Sequence, residues 1–135
     1  GSEFDADSLF ARSRGHQQPI KSFLMDAHVV VGVGNIYANE SLFRAGIDPR
    51  RAAGRIALPR FRRLHQAIVE ILQEAIIAGG TTLRDFTRPD GRKGYFRLSL
   101  AVYGREKEPC IRCGKALRAA RIGGRSSFYC GQCQR

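Results

Sequence analysis

Three stretches of this chain place apolar residues three and four positions apart, the spacing that gathers them on one side of a helix. The longest runs from Pro59 to Ala78. Phe61, Leu64, Ile68, Ile71, Leu72, Ala75 and Ile76 form its stripe, Arg60, Arg63, Gln66, Glu70 and Gln73 lie largely off it, and Gly79-Gly80 ends it. A second helix is expected from Gln17 to about Ala27 on Ile20, Phe23 and Leu24, with Pro19 in the first turn, where its missing N–H does no harm. A third is expected to begin at Asn35 as its N-cap, to turn Ile36, Leu42 and Phe43 inward, and to stop at Gly46 ahead of Asp48-Pro49. Weaker patterning over Asp7–Arg12 suits a short helix. The β-branched run from Val29 to Val33 reads as a strand in isolation, but Gly32 and Gly34 argue for a compact pair of turns. Thr81 or Thr82 is expected to cap a short helix through Phe86. A polar loop over 88–94 and a short ordered stretch over 95–103 then lead into the tail.

The tail changes the picture. Cys110 and Cys113 are followed, sixteen residues later, by Cys130 and Cys133. Two close pairs at this separation match a tetrahedral zinc site with four thiolate ligands, one pair on each of two tight turns joined by a hairpin. Cysteine fills every ligand position and leaves none for water, so one structural Zn2+ is expected rather than a catalytic one. Two disulfides in a secreted domain are the competing reading, and no signal peptide supports it.

Lys and Arg number 23 against 12 Asp and Glu, a net charge of +11 over 135 residues. This excess suits a polyanionic partner, with nucleic acid ahead of an anionic membrane surface, because no amphipathic helix with an exposed aromatic stripe and no apolar run long enough to span a bilayer favours a membrane. Residues 105–135 alone carry eight cations against Glu106 and Glu108, a net +6. Arg125 lies at an expected hairpin tip, where a guanidinium can fork onto a phosphate. At the other candidate point, Gly34 and Asn35 open a helix, so free amides, the helix dipole and the Asn side chain can meet one phosphate oxygen. An ordinary glycine turn with an Asn cap explains the same residues equally well. His16, His28 and His65 are scattered, and no paired carboxylates or activated nucleophile stand out. Residues 1–4 read as a cloning remnant, and a natural segment starting near Asp5 without Met reads as a piece of a larger protein. Cysteine confined to the tail points to a reducing cytoplasm.

Taken in order, Ile20-Lys21 through Asp26, Val31 through Phe43, Gly79 through Phe86, Gly94 through Phe96, Val102 through Arg105 and the four-cysteine tail closely resemble the C-terminal half of bacterial formamidopyrimidine-DNA glycosylases, the MutM or Fpg family. The resemblance implies a mainly α fold, with a helix–two-turns–helix domain over 5–104 and a β-hairpin zinc finger over 105–135. It implies a monomer whose partner is double-stranded DNA carrying oxidised bases or abasic sites, in a repair enzyme that removes oxidised purines such as 8-oxoguanine and cleaves the strand as a lyase. It casts Asn35 and Arg125 as phosphate contacts that pinch a bent duplex, with Gly34 beside Asn35 and with Lys21 and Tyr103 along the backbone path. It casts Thr81, Thr82, Leu83, Arg84, Asp85 and Phe86 as the segment that closes over the everted base.

The family's nucleophile is an N-terminal proline amine followed by a glutamate. Here Ser2 and Glu3 belong to the apparent remnant, so no catalytic residue is expected within this segment. Relatives also often carry Lys just before Ile20, where this chain has His16, Gln17 and Gln18. The same half of an endonuclease VIII-like pyrimidine glycosylase, or a non-enzymatic zinc-ribbon protein that binds RNA, are the alternatives.

Overall fold

The computed structural model describes residues 5–26, 34–77 and 100–135, and the backbone of 85–87 and 93–95. Four helices come first: α1 (Ala6–Ser13), α2 (Ile20–Asp26), α3 (Gly34–Ala45) and α4 (Leu58–Ile77), with a 3-10 turn at Ala53–Arg55. Two antiparallel strand pairs follow, β1 (Asp85–Thr87) with β2 (Lys93–Tyr95) and β3 (Arg118–Ile122) with β4 (Arg125–Tyr129).

Local chemistry explains the helix ends. Asp5 caps α1 by accepting the Ser8 N–H at 2.7 Å. Gly46 ends α3 at φ +72°, and the two bonds Gly46 N–H to Phe43 and Ile47 N–H to Leu42 close the last turn, an arrangement that needs a left-handed residue at 46. The stripe of α4 buries Phe61, Leu64, Ala67, Ile68, Ile71 and Ala75. Phe61, Leu64, Ala67 and Ile68 share one apolar core with Leu9, Ile20, Phe23, Leu24, Leu42, Ile47 and Ile56, and Ile71 and Ala75 pack with Ile36 and Tyr37 of α3.

Three expectations need correction. Ile76, assigned to the stripe, is 72% exposed, because the buried arc of α4 is complete one residue earlier at Ala75. Asp85 and Phe86 lie in a strand paired with Tyr95 and Gly94, not at the end of a short helix, since cross-strand pairing outweighs the local preference. α3 starts at Gly34, so Asn35 sits inside the first turn rather than capping it. The expected turns over 29–33, the caps at Thr81 and Thr82, and residues 88–92 lie outside the described residues.

The finger is built into the helical body. Ten of the twelve residues of α3 are buried, far more than a surface stripe requires, because helices cover one side and the finger another. Phe43 and Val102 join Cys110, Leu117, Phe128 and Cys130 in a second apolar cluster. The polar contacts are as telling. Glu40, 4% exposed, accepts the main-chain N–H groups of Ala101, Val102 and Tyr103 at 2.7, 3.0 and 2.8 Å. Asn39 Oδ1 accepts the Phe128 N–H at 2.7 Å. Gln134 accepts from Cys130 N–H and donates to the Ile47 carbonyl, while Asp48 N–H and Arg135 N–H bond to Arg135 and Gly46 main-chain oxygens.

Candidate nucleic-acid interface and metal centre

The four thiols converge as their spacing requires. All Sγ atoms lie within 4.8 Å of one another, with Cys110–Cys133 at 3.9 Å and Cys113–Cys130 at 3.5 Å. A tetrahedron with Zn–S bonds of about 2.3 Å has edges of about 3.8 Å, so one zinc ion fits. Each close pair forms a knuckle in which a main-chain N–H points at the first sulfur: Arg112 to Cys110 at 3.4 Å and Cys133 to Cys130 at 3.3 Å. Such amides favour thiolate. Burial raises the Cys110 thiol, but the amides of Cys113 and Arg112 bring it down to about 7. Burial and the three neighbouring thiols push Cys133 up to about 12, and a bound dication would remove that penalty.

The hairpin tip meets the helices on the other side. Gly123 and Gly124 form the two-residue turn, both at positive φ (+58° and +78°), the geometry whose twist matches a hairpin. A Cβ on Gly123 would stand 3.1 Å from Ser22 Oγ on α2, so the tip rests directly on that helix. Arg125, the first residue of β4, is exposed beside it. Lys21 lies one residue before Ser22. Its side chain is 1% exposed and its Nζ has no hydrogen-bond partner among the described residues. Burial lowers its pKa to about 8, and the nearby Arg125 charge acts in the same direction. A buried ammonium without an acceptor, facing a second cation, is an arrangement that an anion completes.

Asn35 is the third member. Its Nδ2 donates to the Ser126 carbonyl at 3.2 Å, while its buried Oδ1 has no partner among the described residues. Gly34 precedes it in the same turn, close to Met25. Lys21, Asn35 and Arg125 therefore come together from α2, α3 and β4. Tyr103 takes another place: its ring meets Phe128 edge-on at 5.1 Å and packs where α3, α4 and the finger meet. Of the segment expected to close over a base, Thr81, Thr82, Leu83 and Arg84 lie outside the described residues, and Asp85 and Phe86 are known by backbone alone.

Asn39 and Glu40, the residues that fix the finger to α3, were not among those expected from the sequence. The one available signal was their position, in a helix whose apolar spacing was too dense for a solvent-facing side.

Comparison with known proteins accounts for both parts. Residues 1–87 match the formamidopyrimidine-DNA glycosylase H2TH domain, and residues 107–135 match the zinc finger found in FPG and IleRS. The chain belongs to the formamidopyrimidine-DNA glycosylase family. It is 70% identical over 135 residues to the formamidopyrimidine-DNA glycosylase of Acidithiobacillus ferrooxidans, covering 100% of this chain and 50% of the relative. It is 61% identical over 132 residues to that of Alkalilimnicola ehrlichii, covering 98% of this chain and 48% of the relative. Among solved structures it resembles the MutM (Fpg) protein of Thermus thermophilus (TM-score 0.82, 40% identity, 99% of this chain and 51% of that one). It also resembles Lactococcus lactis Fpg in complex with DNA containing an abasic site (TM-score 0.82, 32% identity, 98% and 48%). The chain thus spans about half the length of the family members it matches. Its four cysteines form the family's zinc site, for one ion. Among the described residues no helix is long and apolar enough to cross a membrane.

Proposed function

We propose that this chain is the duplex-binding half of a base-excision-repair enzyme, and that Lys21, Asn35 and Arg125 hold one stretch of phosphodiester backbone between the start of α3 and the hairpin tip. The observation that carries this reading is the buried Lys21 ammonium, without a hydrogen-bond partner among the described residues and beside Arg125. Such a pair is unfavourable alone and favourable around a phosphate. Asn35, whose Nδ2 donates to Ser126 and whose Oδ1 has no partner among the described residues, stands ready to exchange that carbonyl for a phosphate oxygen. Gly34 lets the backbone come close, and Tyr103 shapes the wall behind the hairpin. The segment 81–86 would close over an everted base.

The whole protein, about twice this length, would remove oxidised purines and formamidopyrimidines and nick the strand as a lyase, working in the bacterial cytoplasm at the nucleoid as a monomer. The solved Lactococcus relatives hold DNA with an abasic site or Fapy-dG, which supports that substrate class. This half would supply grip and no nucleophile.

The test is duplex binding across a salt series. The logarithm of affinity should fall by roughly 0.9 per phosphate neutralised for each log unit of salt. Arg125→Ala should weaken binding by about 1–3 kcal/mol without changing the melting temperature. Borohydride should trap no covalent adduct on an 8-oxoguanine duplex. Unchanged binding by Arg125→Ala, or a strong adduct, would overturn the assignment.

A further inference from the structure

The finger has a second cationic face, at the end away from its tip. A cleft of about 520 Å3 runs between the end of α3, the start of α4 and the knuckles, lined by Arg60, Arg63, Arg112 and Arg135 with Arg44 and Cys133. A groove of about 660 Å3, lined by Lys115, Arg118 and again Arg135, continues from it across the outer side of the finger. Among the described residues no acidic side chain lines either one. Glu74, which reaches Arg44, is already committed to it in a two-pronged ion pair at 2.6 and 2.8 Å.

These cations divide into two kinds. Arg60 and Arg112 have structural partners: Arg60 donates to the Gly46 and Arg135 main-chain oxygens, and Arg112 donates to the Phe43 carbonyl and stacks on the Phe43 ring at 4.5 Å. They cap the carbonyl end of α3. The side chains of Arg63, Lys115 and Arg118 are exposed and make no hydrogen bond or ion pair among the described residues. The Arg60 guanidinium is depressed by burial and by the repulsion of Arg51 and Arg63, as expected where positive charge is left uncompensated. Four thiolates on one Zn2+ add a net charge of about −2 beside Cys133, too little to neutralise the groove.

Register sets the distance from the tip. Arg118 pairs with Tyr129 at the base of the hairpin and Arg125 with Ile122 at the tip, about 13 Å apart at the rise of a strand. One phosphate cannot serve both. We propose that the groove from Arg63 through Arg135 to Lys115 and Arg118 is a second, sequence-independent binding surface for phosphodiester backbone, able to hold a second stretch of nucleic acid while the tip holds the first. The choice of nucleic acid rests on the function proposed above; the groove itself stands on its own charges.

The test compares a triple variant, Arg63→Gln with Lys115→Gln and Arg118→Gln, with Arg125→Ala and with the two combined, all zinc-loaded. The triple variant removes only exposed side chains, and zinc content and melting temperature should match the parent. Its salt slope for an undamaged duplex should be shallower by roughly 0.9 for each phosphate it no longer neutralises. Parent protein should bring donor- and acceptor-labelled duplexes into energy transfer, and the triple variant should not. An unchanged slope, absence of transfer with the parent, or displacement of the groove's occupant by phosphatidylserine vesicles but not by duplex would overturn the proposal. If Arg125→Ala binds normally while the triple variant fails, the groove stands and the assignment of the tip falls.

Discussion

The helical body and the finger solve the same problem by different means. The body buries thirteen residues in one apolar cluster drawn from all four helices, so its helices hold one another by packing. The finger has little of this: in β3 the burial pattern leaves only Ile122 buried, and its own apolar core comes down to Leu117, Phe128, Tyr129 and two cysteines. It relies instead on a metal, on bonds from α3 through Asn35 and Asn39 to the hairpin, and on Glu40's hold on residues 101–103 just ahead of it. The lesson is that a segment too small to pack alone can still be placed accurately, if charged and amide groups on a rigid helix fix its position.

That contrast can be tested at its strongest point. Removal of zinc by a chelator, or Cys130→Ser, should abolish the hairpin, because metal binding in such modules is worth about 10–16 kcal/mol of apparent folding free energy. Most of the helical circular dichroism should remain, since the apolar cluster of the body includes no finger residue. Collapse of the whole helical signal would mean that body and finger are one cooperative unit.

A smaller effect separates position from fold. Glu40→Ala leaves three main-chain N–H groups without their acceptor, at a cost of about 1–3 kcal/mol for each that stays buried. The finger should keep its zinc but exchange amide hydrogens faster over 100–103 and bind duplex more weakly. Unaltered exchange there would show that the apolar cluster alone positions the finger.

The smallest effect lies in pH. Free Lys21 titrates at about 8, held down by burial and then by Arg125, and a bound phosphate favours its charged form. Duplex affinity should therefore be flat below pH 8 and fall by at most tenfold per unit above it. Folding stability should move the other way over that window, rising from about pH 8 towards 10.5, because the unfolded chain binds the proton more tightly. Lys21→Met should flatten both curves. A duplex-binding profile that still bends near pH 8 in that variant would assign the titration elsewhere.

These sites differed in how far the sequence disclosed them. The metal centre was readable because ligand chemistry fixes residue type and spacing within each knuckle. α4 was readable because its stripe is periodic, apart from Ile76, where periodicity cannot tell where the neighbouring helices stop. Arg125 was placed at the tip by the two glycines before it. Glu40 was not readable as an anchor: its partners lie 61 to 63 residues away, and a glutamate in a helix looks the same whether it meets water or amides. The strand at Asp85–Thr87 was missed for a related reason, since a three-residue strand is defined by its partner rather than by its own composition.

The close approach of Gly123 to Ser22 has a bearing on protein engineering. Left-handed backbone and a neighbour 3.1 Å from where a Cβ would stand make that one position a spacer of zero thickness between finger and helix. A finger transplanted from a cousin would be seated correctly only if the residues at 22 and 123 were exchanged as a pair. A methyl at 123 would press on Ser22 Oγ from a left-handed backbone position, so Gly123→Ala should disturb the seat beside the arginine and the lysine without touching either charge.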